Sequence, residues 1–128
     1  MQNEQAIKEL VKSKYSEIAS QTLEQNAQSC CGATGCGTTG TYSIMSDDYS
    51  SLEGYHKDAD LGLGCGVPTN FAQLKEGDIV IDLGSGAGND AFVVRQIVGE
   101  KGKVIGIDFT EKMIEKAREN AEKLQYNN

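Results

Sequence analysis

Ile79-Val80-Ile81-Asp82-Leu83-Gly84-Ser85-Gly86-Ala87-Gly88 is an apolar run that ends in Asp-x-Gly-x-Gly-x-Gly. The run reads as a buried strand, and the glycines behind it as a sharp turn at its carboxyl end. A ligand lying there rests against backbone N–H groups at the mouth of the next helix, an approach that side chains would block. Gly84, Ser85, Gly86 and Gly88 keep that approach small, so the stretch is built to hold a nucleotide-like ligand. The dinucleotide fingerprint Gly-x-Gly-x-x-Gly fits poorly, because Asn89 stands where its third glycine belongs.

Outward from this loop, Asn89 to Val98 predicts a helix with Phe92, Val93, Ile97 and Val98 toward the sheet and Gly99 as its C-cap. Lys101-Gly102-Lys103 then turns into Val104-Ile105-Gly106-Ile107-Asp108, a second apolar strand that ends in a carboxylate. A right-handed crossover sets the two strands parallel and brings Asp82 and Asp108 to one edge of the sheet. Asp108 is placed to accept from both hydroxyls of a ribose. Asp82, at the base of the loop, either orients the loop or reaches a ligand's ammonium, directly or through water. A glycine turn without a ligand is the bland alternative, and strand, loop, helix and second acidic strand in sequence argue against it. Thr110 is a suitable N-cap for a further helix to about Gln125.

This order resembles motif I of the class I S-adenosylmethionine-dependent methyltransferases. The resemblance implies an α/β, Rossmann-like fold with S-adenosylmethionine as cofactor, whose ammonium is then the group near Asp82 and whose ribose lies on Asp108; Phe109 and Thr110, from their position just beyond Asp108, are expected to flank the adenine. Residues 78 to 126 supply only two parallel strands, too narrow a sheet to bury both faces. The chain of 128 residues therefore reads as the N-terminal part of a longer protein, or as a piece cut at a helix end. Three segments follow: an amphipathic N-terminal helix within 1–24, with Tyr15 expected to pack in the core; a Gly/Ser/Cys-rich linker and substrate loop over 25–70; and a partial cofactor-binding domain over 71–128. A helical turn is expected at Phe71 to Leu74.

A net charge of −7 excludes nucleic acid as an expected partner, since phosphate neutralisation needs clustered Lys and Arg and only Lys8, Lys12 and Lys14 approach that. No apolar run nears the ~20 residues that span a bilayer, and the polar start has no signal-peptide character, so no membrane partner is expected. Cytoplasmic residence follows, with the four cysteines reduced.

Cys30, Cys31, Cys36 and Cys65 lack Cys-x-x-Cys spacing. A Cys₄ zinc site is disfavoured by the strain of placing the adjacent Cys30 and Cys31 on one tetrahedral ion, and Cys36 reads as an inert small residue. Cys65 lies between Gly64 and Gly66 just ahead of the first strand, where a thiolate is able to face the transferable methyl group.

Asp60-Leu61-Gly62-Leu63-Gly64-Cys65-Gly66-Val67-Pro68 followed by Val80 to Asp90 resembles the arsenite S-adenosylmethionine methyltransferases, as do Val11 to Ala19, Ser29-Cys30-Cys31-Gly32 and Tyr42-Ser43. That family resemblance implies methyl transfer to trivalent arsenic, an arsenic-detoxifying reaction, with Cys65 as an arsenic ligand. It also implies that Cys30 or Cys31 takes part in arsenic binding or a disulfide relay, with arsenite arriving as a thiol adduct and thioredoxin or glutathione as reductant. Further cysteine ligands would lie in a C-terminal half, so the 128-residue chain alone is not expected to turn over. Val67 stands where the family often has Asn. Two readings compete: a methyltransferase of a small organic acceptor of quinone or phenol type, with the cysteines incidental, and a non-catalytic module that binds S-adenosylmethionine or a thiophilic metalloid.

Overall fold

A computed structural model describes residues 2–29, 48–63 and 66–128. Helix α1 (Gln2–Ala19) and the short α2 (Leu23–Ser29) come first, and a 3₁₀ turn spans Pro68–Asn70. Strand β1 (Ile79–Leu83), helix α3 (Asn89–Val98), strand β2 (Lys103–Ile107) and helix α4 (Glu111–Lys123) follow. The strands pair in parallel with Ile79 opposite Lys103 and Leu83 opposite Ile107, which brings both carboxyl ends to one edge.

The N-terminal helix stops at Ala19 instead of running to residue 24. Thr22 and Gln25 explain the break: the Gln25 N–H donates to Thr22 Oγ1 at 3.3 Å while the Thr22 N–H donates to Gln25 Oε1 at 2.9 Å. This reciprocal pair is a capping box that starts a new helix inside the expected linker. Lys116 of α4 donates to Ala19 O at 3.0 Å and Gln21 O at 3.4 Å, placing a cation on carbonyls left open at the end of α1. A small apolar cluster of Ala19, Leu61, Ala87 and Met113 joins α1, the 59–63 loop, the glycine turn and α4.

Helix α3 has the predicted bounds, and the Gly99 N–H closes it on Arg95 O. Its buried residues are Phe92, Val93, Val94 and Val98, whereas Ile97 is exposed. The expected face was thus rotated slightly, because Val94 turns in toward neighbouring packing where Ile97 turns out. The helical turn near Phe71 falls earlier, at Pro68–Asn70, since the proline ring presets φ for its first residue. Ile79, Ile81, Leu83, Ile105 and Ile107 alternate onto one sheet face and are exposed there, so helices cover only the other face. Among the described residues no helix is long and apolar enough to cross a membrane.

Gly102 lets the chain turn into β2 against the end of α3. A Cβ on it would lie 2.5 Å from Val98 Cβ and 2.8 Å from Asp78 O. Asp78 O already accepts the Lys103 N–H at 3.0 Å and cannot yield without disturbing the start of β2. Gly102→Ala is expected to cost about 1–3 kcal/mol by overpacking; a urea midpoint unchanged from the parent chain would contradict this.

Candidate functional site

A cleft of about 400 Å³ opens at the carboxyl edge of the sheet. Gly84, Ser85, Gly86 and Ala87 form its floor, and Asn89 and Asp90 at the start of α3 form one wall. Asp60 to Leu63 and Gly66 to Pro68 form the opposite wall, Tyr15 and Met113 contribute from α1 and α4, and Asp108 closes the edge. Gly84 and Gly86 meet the expectation of a bare floor: a Cβ on Gly84 would find nothing within 4 Å, and one on Gly86 only the Met113 sulfur at 4.0 Å.

Asp108 is the residue that shapes the loop. Its Oδ2 accepts the Gly86 N–H at 3.0 Å and its Oδ1 accepts the Thr110 N–H at 2.8 Å. One carboxylate therefore clasps the glycine turn to the start of α4, and each oxygen keeps a lone pair for a further donor. Asp82 shows the complementary situation: its Oδ2 is buried without a hydrogen-bond partner, as are Asn89 Oδ1 and Asp90 Oδ1. Of the two acidic strand ends, Asp108 orients the loop, and Asp82 holds an unsatisfied acceptor.

Such acceptors are costly to bury unpaired, and they report which ligand chemistry the site favours. Burial, helped by the nearby Asp90 and Asp108 charges, pushes the Asp82 carboxyl above the ordinary aspartate range. Burial also raises Asp90, against the opposing pull of the Tyr49 hydroxyl beside it. Asp60, Asp90 and Asp108 line the cleft, and none of its described lining residues is cationic. A cleft of this charge attracts a cation bearing N–H donors and repels a pyrophosphate, which counts against a dinucleotide.

Among the described residues, the other predicted ones do not line the cleft, and Asp82 is among them, half-buried near the end of β1 just ahead of the glycine floor. Gly88 serves the helix rather than a ligand: at φ +100° it caps α3, and a Cβ there would lie 2.7 Å from the Phe92 ring. Thr110 holds the N-cap position of α4 with its backbone, but its side chain makes no cap bond and is fully buried. Phe109 is exposed and, like Thr110, does not line the cleft. Cys30, Cys31, Cys36 and Cys65 lie outside the described residues. Asn89, Asp90, Asp60 and Met113 were not singled out as ligand-facing from the sequence. Tyr15, expected in the core, is instead exposed on α1 and lines the cleft, because the helix face that carries it turns toward the opening rather than toward the Ala19 cluster. Asp90 carried a signal, because a carboxylate one residue inside a helix that opens on a glycine turn must face the ligand side or the dipole.

Residues 74–128 match a family model described as a methyltransferase domain. The chain is 44% identical to the arsenite methyltransferase of Halobacterium salinarum, over 91% of this chain and 32% of that protein. It is 42% identical to the arsenite methyltransferase of Mus musculus over 53% of this chain and 18% of that one. A protein-L-isoaspartate O-methyltransferase of Methanococcus aeolicus is 47% identical over 43% of this chain and 26% of its own length. The chain spans about a third or less of the length of these relatives. With the parallel strands and the glycine turn between them, residues 74–128 have the Rossmann-like fold of an S-adenosylmethionine-dependent methyltransferase domain, and over most of its length the chain is similar to an arsenite methyltransferase.

Proposed function

We propose that the cleft holds S-adenosylmethionine and that the chain serves methyl transfer to trivalent arsenic bound by cysteine thiolates. The observation that carries the arsenic reading is the reach of the relatedness. The match to the Halobacterium salinarum protein takes in 91% of the chain, whereas the match to the isoaspartate enzyme takes in 43%. A match of the longer kind includes cysteine-bearing sequence ahead of β1, which a shared cofactor loop does not require.

The residues fit the cofactor. Asp82 Oδ2, Asn89 Oδ1 and Asp90 Oδ1 supply acceptors for an ammonium, the open floor at Gly84 and Gly86 admits the methionine chain, and Asp108 retains lone pairs for ribose hydroxyls. Bound there, S-adenosylmethionine supplies a methyl group on a sulfonium centre, which a soft lone pair attacks in line. The carboxylates hold and orient the cationic group, and Asp60 to Leu63 with Gly66 to Pro68 form the wall that shields it. Arsenic(III) on thiolates keeps its lone pair, so no general base is needed. Cys65, with Cys30 or Cys31, is assigned as ligand, and a thiol reductant of thioredoxin or glutathione type keeps these thiols reduced.

Native mass spectrometry of the reduced chain titrated with arsenite, beside Cys65→Ser, tests the metalloid assignment. The expected outcome is an arsenic adduct that weakens in the variant; equal adducts in both proteins would remove Cys65 from the ligand set.

The Asp82 environment gives a second prediction. In the folded chain its carboxyl sits above its unfolded value, so the folded state binds more protons between the two. The contribution of Asp82 to stability is therefore fully present below the ordinary aspartate value and is lost as pH rises through the raised one. Asp82→Asn removes that penalty and is expected to raise the melting temperature at neutral pH by a few degrees, on the order of 1 kcal/mol. The same change is expected to weaken S-adenosylhomocysteine by about tenfold or more, the loss of one charge-assisted hydrogen bond. A lower melting temperature with unchanged affinity would overturn the assignment of Asp82 to the ligand.

A further inference from the structure

A second cavity, of about 410 Å³, lies between α3 and α4 on the helix-covered side of β2. Its size falls in the range of about 300–1,000 Å³ in which small-molecule sites are found. Of its described lining residues only Ser85 also lines the cleft. The space exists because small residues face it: Ala91 of α3, Gly106 of β2, and Ala117 and Ala121, one turn apart on α4. Gly106 has no room to be larger, since a Cβ there would lie 2.8 Å from Ser85 Oγ. The Phe92 and Tyr126 rings, 5.8 Å apart, add an aromatic wall. Tyr126 reaches it because α4 ends in a Schellman turn: Gln125 is left-handed at φ +57° and the Tyr126 N–H closes on Ala121 O at 3.0 Å. The Tyr126 hydroxyl then accepts from Gln96 Nε2 at 2.7 Å.

Both arginines of the chain, Arg95 and Arg118, line this cavity, and no acidic residue does so among the described residues. In a chain of net charge −7 this is the reverse of the cleft, which is lined by carboxylates and no cation. Neither arginine has an ion pair among the described residues, although lysines such as Lys123 and Lys57 do. Arg95 is held in place: its Nε donates to Asn128 Oδ1 at 3.1 Å, and its guanidinium carbon lies 4.6 Å from the centre of the Tyr126 ring. Asn128 is fixed in turn, its Nδ2 donating to Gly99 O at 3.0 Å and Gly102 O at 2.8 Å. Among the described residues nothing accepts from the two Nη groups of Arg95, so an immobilised fork keeps four N–H donors for a ligand. Arg118 is exposed on α4, and Glu122, one turn further on, does not line the cavity.

We propose that this cavity binds a small organic anion, a carboxylate carried on a flat apolar body. The carboxylate sits on Arg95, with Arg118 as a second cation, and the body lies between the small residues and the Phe92 and Tyr126 rings. Guanidinium and carboxylate match as two parallel N–H···O bonds, and the aromatic wall favours a flat body over an inorganic anion, which would leave it uncovered. The site is independent of the cofactor reading of the cleft.

An amide NMR titration of the chain with naphthalene-2-carboxylate, beside the neutral naphthalene-2-carboxamide, tests the proposal. Saturable shifts are expected at Ala91, Gly106, Ala117 and Ala121, with the carboxylate bound at least about tenfold more tightly than the amide. Arg95→Gln is expected to weaken the carboxylate about tenfold and leave the amide within about twofold, a charge-selective loss that a loosened fold would not produce. Arg118→Gln, at an exposed position, is expected to weaken the carboxylate only about threefold. Ala117→Leu keeps a good helix former and both arginines while filling the cavity, and is expected to weaken both compounds. Equal affinities for the two compounds, an Arg95→Gln variant that keeps the parent's preference, or shifts confined to Gly84 and Gly86 of the cleft would overturn the proposal. So would the absence of any saturable shift up to about 10 mM, a concentration at which even a weak specific site fills.

Discussion

The carboxylate of Asp108 accepts the backbone N–H groups of Gly86 and Thr110 at the same time, and the site is built around that clasp. Asp108 can reach Gly86 only because β1 and β2 pair in parallel with Leu83 opposite Ile107, so that the turn after one strand meets the residue after the other. The Gly84 and Ser85 N–H groups both donate to Ile107 O, at 2.7 and 3.1 Å, which pins the turn from the adjacent position. With three backbone donors committed to β2 and its end, the glycine floor has one conformation without any side chain inserted beneath a ligand. Preorganisation of this kind lowers the ordering that binding would otherwise require.

The clasp also sets the charge of the cleft. It occupies Asp108 with backbone donors while Asp82 and Asp90 keep buried oxygens that nothing in the described chain satisfies. Burial, with the Asp90 and Asp108 charges nearby, disfavours ionisation of Asp82, burial disfavours that of Asp90, and the folded chain is weakened as these two groups charge. A ligand that brings N–H donors and positive charge relieves both costs. This is the familiar exchange of stability for function at a binding site, here traceable to particular atoms.

The fold-defining part of the chain was legible because its signals are local. The apolar strands, the glycine turn, the bounds of α3 and the parallel pairing all follow from runs of a few residues. The break after Ala19 was also written in the sequence, as Thr22-x-x-Gln25, but the amphipathic spacing of the preceding turns obscured it. Of the candidate site's residues, Gly84, Ser85, Gly86 and Asp108 were legible and line the cleft at the sheet edge, whereas Asp82 lies beside it without lining it. The site was misjudged where a role depends on what packs nearby: Gly88 yields to the Phe92 ring, and Thr110 is sealed beneath the start of α4. Asp60, Asp90, Tyr15 and Met113 reach the cleft from four separate elements, and no local pattern announces a convergence that only tertiary packing creates.

The central claim is that buried, unpaired carboxylate oxygens make this a site for a cationic amine on a nucleoside. The most direct measurement is the calorimetric affinity of the chain for S-adenosylhomocysteine against its N-acetyl derivative, which keeps the nucleoside and loses the ammonium. Loss of at least about tenfold on acetylation is the result expected if Asp82, Asn89 and Asp90 receive the amine. Equal affinities would contradict the account and leave the three acceptors without a ligand role.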